Sequence, residues 1–66
     1  MRLHLDEKVD ALYIRFDDSA IVDSEEITPG IVLDFNAQHD VVGIEVLRVQ
    51  ARFPSADLRH VSVDVA

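Results

Sequence analysis

The densest group of residues that could do chemistry begins at Asp34. Its oxygen-bearing side chains occupy the ligand positions of a calcium-binding loop: Asp34, Asn36, Gln38, Asp40 and Glu45. Such a loop also needs a central glycine for its sharp turn, and it lies between two helices. This chain has His39 at that position, and both flanks alternate as strands do. The pattern therefore predicts a polar hairpin loop with no metal ligands.

Two pairs of adjacent acids, Asp17-Asp18 and Glu25-Glu26, are the next candidates, for acid–base catalysis. Adjacent residues of a strand point to opposite faces, so neither pair converges on one reacting atom. Catalytic carboxylates also need surroundings that separate their pKa values, and these acids lie in a polar region. We interpret both pairs as solvated charges.

Nucleophiles and metal ligands are equally scarce. The chain has no cysteine and only two glycines, and no serine lies in a nucleophile elbow. His4, His39 and His60 lie far apart and lack ligand spacing. We expect no catalytic residues, no cofactor and no metal site, so the protein is predicted not to be an enzyme. The alternative is a small enzyme or ligand-binding module that uses these histidines with nearby acids.

The net charge of −7 is concentrated in the middle of the chain. Residues 16–47 contain eight acidic residues and no Lys or Arg, whereas residues 1–15 are balanced. Nucleic-acid binding depends on Lys and Arg that replace counterions along the phosphates, so we expect no direct nucleic-acid binding. Complementary fields favour a basic protein partner instead. The alternative is that the negative charge only keeps a small protein soluble.

Five residues are candidate partner-binding residues. Tyr and Arg are enriched at interface hot spots, which selects Tyr13 and its neighbour Arg15; an ordinary cross-strand pair is the alternative for Tyr13. The acidic stretch adds Asp23, Glu25 and Glu26. No small-molecule substrate is indicated.

Alternation of apolar and polar residues with period two predicts the strands that position these side chains. The apolar positions are Leu3 and Leu5, then Leu12, Ile14 and Phe16, then Ile31, Leu33 and Phe35, then Val42, Ile44 and Val46. Residues 21–28 are more polar and predict an exposed edge strand, since charges block unwanted pairing there. Thr28-Pro29-Gly30-Ile31 fits a type II turn, with a bend in one long strand as the alternative. Gly43 indicates a bulge or a close neighbouring backbone.

The C-terminal part is harder to interpret, because the apolar phase slips by one residue after Val46. A bulge would let a strand continue, whereas a helix over residues 46–53 would gather Val46, Val49 and Phe53. The β-branched valines favour the strand. Ser55 is placed to cap a single helical turn. Residues 60–66 alternate again and predict a final strand, at a sheet edge or a dimer seam.

The sequence thus predicts a mainly β fold, with α+β as a variant. We expect an antiparallel β-meander of five to six short strands, with at most one short helix near the C-terminus, in a single domain over residues 1–66. A chain this short buries only about 60% of its unfolded surface. Disulfides and zinc are unsuited to this composition, and one flat sheet needs cover. We therefore expect a homodimer, packed sheet on sheet, or a complex with a basic protein.

The location follows from the apolar runs and the missing thiols. The first residues mix charges where a signal peptide needs an apolar stretch, and no run approaches a membrane span. A cysteine-free chain suits a reducing compartment. We expect a soluble, cytoplasmic protein that does not associate with a membrane.

Three segments carry a resemblance to a known family: Asp10-Ala11-Leu12-Tyr13-Ile14-Arg15, Glu25-Glu26-Ile27-Thr28-Pro29-Gly30-Ile31-Val32-Leu33-Asp34 and Val42-Gly43-Ile44-Glu45-Val46-Leu47. In order and spacing they resemble domain of unknown function 2283 (DUF2283), a family of short bacterial and archaeal proteins. Family hairpins after the fourth strand usually carry an Asp-Gly type turn, which residues 36–40 lack. Residues 48–66 also differ from the short helical tail typical of the family.

The resemblance implies no activity and no catalytic residues, because none is established for the family. Its members often look like companions of small proteins similar to RelE-type RNase toxins, which implies an antitoxin-like role. The hypothesis is therefore a non-enzymatic interaction module, the acidic partner of a basic RelE-like toxin. A structural subunit of a larger assembly is a further alternative.

Overall fold

A computed structural model describes all 66 residues and contains one antiparallel sheet. Its elements are β1 (Arg2–Asp6), β2 (Ala11–Arg15), β3 (Asp23–Thr28), β4 (Ile31–Phe35), β5 (Val41–Leu47) and α1 (Val49–Arg52). The predicted set of antiparallel strands with one short helix is confirmed. The order across the sheet is β1-β2-β5-β4-β3, so the chain departs from a simple meander at one point. The neighbour of β2 is β5, and β3 lies at the far edge.

The register of the strands aligns their apolar positions across the sheet. Directly opposed residues share a face, and the apolar positions fall into rows across the sheet. One row is Leu3, Ile14, Ile44 and Leu33, and the next is Leu5, Leu12, Val46 and Ile31. A shift of one residue in any pairing would move one strand's apolar side chains to the opposite face. The predicted alternation therefore sets the register.

The turns have the backbone geometry that their residues favour. Gly30 has a φ of 83°, as the third position of a type II turn requires, so the turn and not the bend joins β3 to β4. The loop between β4 and β5 is closed by Asn36, whose side-chain oxygen accepts the N–H groups of Gln38 at 3.1 Å and Asp40 at 2.9 Å. His39, in the same loop, has a φ of 64° and stacks on Phe35 with ring centroids 4.6 Å apart.

The edge strand predicted for residues 21–28 is present as β3, which begins at Asp23. Every residue of β3 is exposed. The register with β4 shifts between Glu26 and Thr28, which leaves Ile27 without a partner. This irregularity limits the regular edge that another strand could join.

Of the two alternatives for residues 46–53, the strand favoured by the valines ends at Leu47, and the helix forms only over Val49–Arg52. Arg48 has a left-handed φ of 55°, and the four-residue helix α1 follows it. The stabilising contact comes from the distant β1–β2 turn, because the Asp10 carboxylate accepts the N–H groups of Gln50 at 2.8 Å and Ala51 at 3.2 Å. A carboxylate at the free N–H groups of a first helical turn stabilises it. The helix and strand propensities of residues 46–53 do not indicate this contact with Asp10.

The final strand predicted for residues 60–66 is absent, and so is a helical turn capped by Ser55. Val61, Val63 and Val65 alternate but pair with no strand, and all three are exposed. An alternating segment forms a strand only where it can pair with the backbone of a sheet edge. Neither edge strand, β1 or β3, pairs with residues 60–66. The residue before this segment, Arg59, is bound to the β1–β2 turn instead, because its guanidinium donates three hydrogen bonds to the Glu7 carboxylate, at 2.7, 2.9 and 3.1 Å.

Few residues are fully buried. The apolar ones are Ala11, Phe35, Val42 and Val49, of which Val42 is only 1% exposed. The structure contains no helix with the length and apolar content that crossing a membrane requires.

Candidate functional site

The two faces of the sheet differ in what covers their side chains. We call the face that carries the two apolar rows the open face: Leu3, Leu5, Leu12, Ile14, Ile31, Leu33, Ile44 and Val46. The opposite face is called the polar face; its rows include Arg15, Gly43, Asp34 and Ser24, and then Tyr13, Glu45, Val32 and Glu26.

The open face lacks a second layer over its two apolar rows, whereas Phe35, at the end of β4 on the same face, is buried. Ile14 and Ile44 lie in the middle of the sheet and are still only half-buried, and Leu3 at the edge is 42% exposed. Apart from neighbouring strands, the only regular element that packs on the sheet is α1, which contacts β2. A sheet with one apolar face normally buries that face against another layer. This surface is therefore the candidate interaction site.

The polar face is held by hydrogen bonds within the chain. The Tyr13 hydroxyl donates to Asp34 Oδ2 at 2.7 Å, and the Ser24 hydroxyl donates to Asp34 Oδ1 at 2.6 Å. Both oxygens of this carboxylate thus have a donor, which links β2 and β3 to β4. Gly43 lies beneath the phenol, where a Cβ atom would collide with the Tyr13 hydroxyl. The close neighbour of Gly43 is therefore a side chain, and the strand irregularity lies next to it, opposite Phe35.

Arg15 completes this network with bonds to the chain that follows β2. Its Nε atom donates to the Asp17 carbonyl oxygen and its Nη2 atom donates to the Ser19 carbonyl oxygen, both at 2.6 Å. Nη1 lies 3.5 Å from the Tyr13 hydroxyl. The guanidinium therefore fixes the start of the connection that crosses from β2 towards β3.

The surroundings of Tyr13 change its acidity. Burial raises the pKa of the Tyr13 phenol above its ordinary value of 10.0, and the hydrogen bond to Asp34 acts in the same direction. The charge of Arg15 opposes these effects and is outweighed. The phenol is therefore held as a neutral donor, which is the form that its bond to Asp34 needs.

The acids of β3 lack cationic neighbours. The ion pairs in the structure are Arg2 with Asp18 and Arg59 with Glu7, at 3.3 and 2.7 Å. No Lys or Arg side chain lies within 4.0 Å of the carboxylate of Asp23, Glu25 or Glu26. The far edge of the sheet therefore carries three uncompensated negative charges in one exposed strand.

The five predicted partner-binding residues do not form one patch. Tyr13 and Arg15 lie on the polar face of β2, where they bond to other residues of the chain. Asp23 and Glu25 lie on the open-face side of β3, opposite Phe35 and Leu33, and Glu26 points to the polar face. Sequence reasoning missed Asp34 as the partner of Tyr13. The two are 21 residues apart, and only the β2–β5–β4 order brings them together.

The histidines of the alternative hypothesis lie in three separate places: β1, the β4–β5 loop and the C-terminal segment. A cavity of about 470 Å³ is lined by His4 with Arg2, Leu3, Tyr13 and Arg15, and it contains no carboxylate. A second cavity, of about 480 Å³, contains Glu7, Asp10 and Asp57 and no histidine. Neither cavity pairs an imidazole with a carboxylate, which acid–base catalysis by these residues would need.

The calcium-like pattern lies in the hairpin between β4 and β5, so strands and not helices flank it. Asn36 is buried there, and its side-chain oxygen already accepts two backbone N–H groups. No group of three or more His, Cys, Asp or Glu side chains is placed to hold a metal ion. The predicted polar hairpin loop is what the structure shows.

These features define a small single-sheet β protein, with one face closed by its own hydrogen bonds and one apolar face left open. The chain belongs to the family described as protein of unknown function (DUF2283), which matches residues 2–50. The match spans all five strands and the start of α1, and it confirms the resemblance. No curated protein and no solved structure shows a significant match to the chain.

Proposed function

We propose that this chain is a non-enzymatic protein-interaction module. The observation that carries the proposal is the open face, whose central residues are only half-buried and have no second layer above them. Contiguous apolar surface is rare on monomeric soluble proteins, and where it occurs it marks a protein–protein interface or another binding surface. The polar face needs no such partner because its central carboxylate is already satisfied by two donors.

The proposed partner is a basic protein. The chain has a net charge of −7, and three of its acids lie in β3 with no Lys or Arg paired to them. Fields of opposite sign accelerate the encounter of two proteins, while buried apolar contacts hold the complex together. Acidic β3 would thus guide a basic chain to the neighbouring open face.

Membership of DUF2283 supports a finer proposal, an antitoxin-like role beside a basic toxin of the RelE type. Such a toxin binds RNA through cationic side chains. An acidic module that occupies this surface would keep it from RNA, with no chemistry required of the module. The proposed location is the cytoplasm, which suits a chain without cysteine.

Co-expression with the product of the adjacent reading frame tests this proposal. We expect the two chains to co-elute in size-exclusion chromatography and to associate more slowly as salt rises, because salt screens exposed charges. A folded chain that ignores this product at every salt concentration would count against the basic partner.

Charge-neutralised variants locate the contact. A triple variant with Asp23→Asn, Glu25→Gln and Glu26→Gln is expected to slow association roughly tenfold at low salt. The matched control changes three acids elsewhere, Asp40→Asn, Asp57→Asn and Asp64→Asn, and is expected to have a much smaller effect. Equal slowing in both variants would show that net charge, and not β3, guides the partner.

A further inference from the structure

We infer that two copies of this chain pair edge to edge, with β1 antiparallel to β1 of the second copy and the two-fold axis at His4. The pairing joins the two sheets into one continuous sheet. The edge at β1 is a different surface from the open face, so this pairing and the proposed function can fail separately.

The backbone of β1 has hydrogen-bonding groups that no part of the chain uses. β1 is an edge strand and pairs only with β2. In a strand between two antiparallel neighbours, successive residues bond alternately to one neighbour and to the other. The N–H of Phe16, next after β2, donates to the Val42 carbonyl oxygen in β5 at 2.7 Å. Counting back along β2, the even-numbered residues of β1 bond to β2, so the N–H and C=O groups of Leu3 and Leu5 point out of the sheet.

The two edges of the sheet differ in how they are protected against pairing. β3 has an irregular register, and its three acids lie in an exposed strand. β1 pairs with β2 over five consecutive residues without a shift, and its central residues Leu3-His4-Leu5 include no Lys or Pro. Bulges, Lys and Pro are the usual devices that keep an edge from pairing. One edge of each copy is therefore available, so the assembly closes as a dimer.

The outward groups restrict the register of the two β1 strands. Residues whose backbone groups point outward must lie opposite each other, which allows a two-fold axis at Leu3, His4 or Leu5. Only the axis at His4 overlaps β1 along its whole length, Arg2–Asp6. Leu3 then exchanges backbone hydrogen bonds with Leu5 of the second copy, and the reverse holds on the other side of the axis. This register gives the longest ladder.

Charge favours the same register. With the axis at His4, Arg2 lies opposite Asp6 of the second copy at both ends of the ladder. Opposite charges directly across two strands are stabilising. An axis at Leu3 would place Arg2 opposite His4, with no acid across from it, and an axis at Leu5 would leave Arg2 outside the ladder. The strand is thus complementary in charge to a second copy of itself.

The contacts that these two residues make within the chain are compatible with the pairing. Arg2 forms an ion pair with Asp18 at 3.3 Å, and its side chain is still 72% exposed. Asp6 accepts the N–H groups of Lys8 and Val9 at the same oxygen, Oδ1, which leaves Oδ2 without a hydrogen-bond partner. The charge of a second copy therefore adds to these contacts and does not replace them.

Disulfide cross-linking tests the pairing, because the chain has no cysteine of its own. In the ladder the two His4 residues form a non-hydrogen-bonded pair, with Cα atoms about 4.5 Å apart, within the range that a disulfide spans. We expect His4→Cys to form a covalent dimer under mild oxidation at micromolar concentration, visible on a non-reducing gel. His4 is exposed, and circular dichroism verifies that the variant folds.

Two control variants locate the contact. Glu26→Cys lies at the other end of the row that contains His4, on the same face of the sheet, and should cross-link at least about tenfold more slowly. Arg2→Cys lies in β1 itself, but its two copies would be about 14 Å apart, which is too far for a disulfide. It should also be at least about tenfold slower than His4→Cys.

A proline at Leu3 tests the role of the backbone. Leu3→Pro removes an N–H group that points out of the sheet, which an edge strand tolerates. We expect sedimentation equilibrium to show a wild-type dimer of twice 7.4 kDa and Leu3→Pro to raise its dissociation constant at least about 100-fold, because a bond is lost at two equivalent positions. Leu3→Ala loses the same side chain but keeps the N–H group, and it should stay within about tenfold of wild type.

The outcomes separate this pairing from the proposed function. His4→Cys that cross-links no faster than Glu26→Cys overturns the edge pairing, and the binding of a basic partner is then unaffected. Arg2→Cys that cross-links as fast as His4→Cys overturns the register. A dimer that Leu3→Pro and Leu3→Ala weaken equally overturns the backbone ladder. A dimer held by the open faces would keep the two polar faces apart, so rapid cross-linking at His4 supports the edge alone.

Discussion

The side chains on the two faces of this sheet differ in the contacts that the chain itself gives them. On the polar face, the carboxylate of Asp34 accepts hydrogen bonds from Tyr13 and Ser24, and the guanidinium of Arg15 is held by backbone carbonyls. On the open face, Ile14 and Ile44 lie in the centre of the sheet and are only half-buried. The side chains at the centre of the polar face are satisfied within one chain, whereas the central apolar side chains of the open face have no second layer over them.

This difference follows from the cost of leaving each kind of group unpaired. A partly buried polar group without a hydrogen bond costs about 1–3 kcal/mol, so the chain provides its partners itself. Apolar surface costs roughly 25 cal/mol per Å² left in water, and that cost can be relieved later by association. A chain of 66 residues buries few side chains. It has too few residues both to hydrogen-bond its polar groups and to cover its apolar face.

The largest expected effect comes from truncating a leucine on each face. Leu33→Ala on the open face should lower the free energy of unfolding by about 3 kcal/mol, because the homodimer that the sequence predicts would bury this side chain fully. Leu47→Ala should cost about half of that, because Leu47 lies on the other face, opposite Ala11, and stays half-buried. Urea unfolding measures both.

The same pair of variants separates the two faces by concentration. The loss for Leu33→Ala should grow with chain concentration, and the loss for Leu47→Ala should not. If both variants lost the same free energy of unfolding at every chain concentration, the two faces would not differ in what covers them.

Gly43→Ala should have the next largest effect, about 2 kcal/mol of destabilisation. The new Cβ atom would lie 2.9 Å from Tyr13 Cζ and 3.1 Å from Asp34 Oδ2, so the central hydrogen bond of the polar face must shift. Thermal unfolding by circular dichroism gives the loss. In a Tyr13→Phe background the hydroxyl is gone and the penalty should be smaller, and an unchanged penalty would refute the close packing of Gly43 under the phenol.

Tyr13→Phe alone should cost about 1 kcal/mol, because it removes the donor to Asp34 Oδ2 and little else. A double-mutant cycle with Asp34→Asn measures the coupling between the two residues by urea unfolding. We expect the double variant to lose less stability than the sum of the losses of the two single variants. Strict additivity would show that the hydrogen bond contributes nothing to the closed face.

The smallest expected effect is the loss of stability at alkaline pH, when Tyr13 on the polar face loses its proton. The folded chain holds the Tyr13 proton more tightly than the unfolded chain, whose pKa is near 10.0. The resulting stabilisation is complete below that pH and is lost as pH rises through the higher folded pKa. Tyr13 is the one tyrosine and there is no tryptophan, so ultraviolet absorbance reports its titration alone. Asp34→Asn should lower this pKa, and a wild-type midpoint at or below the ordinary value would contradict the prediction.

The alternation of residues was enough to predict most of the sheet. The apolar rows, the exposed edge strand β3 and the positive φ of Gly30 all follow from local rules about side-chain spacing and turns. What local rules lack is the identity of each strand's neighbour. For that reason the pairing of β2 with β5 could not be predicted, nor the Tyr13–Asp34 hydrogen bond that depends on it.

Residues 48–66 also show that local rules do not identify the neighbour of a segment. Residues 60–66 alternate as a strand would, but no sheet edge pairs with them. Leu47 ends its strand because Arg48 turns into the left-handed region and Asp10, 40 residues from Gln50 in sequence, caps the helix. Each outcome was decided by a contact between distant segments, which neither propensity nor periodicity describes.

The dependence of thermal unfolding on chain concentration is the most direct test of the homodimer that the sequence predicts for the open face. If folding and association are linked, the unfolding midpoint of the wild-type chain should rise steadily over about a 100-fold increase in concentration. A cooperative transition whose midpoint is the same at every concentration would contradict the account.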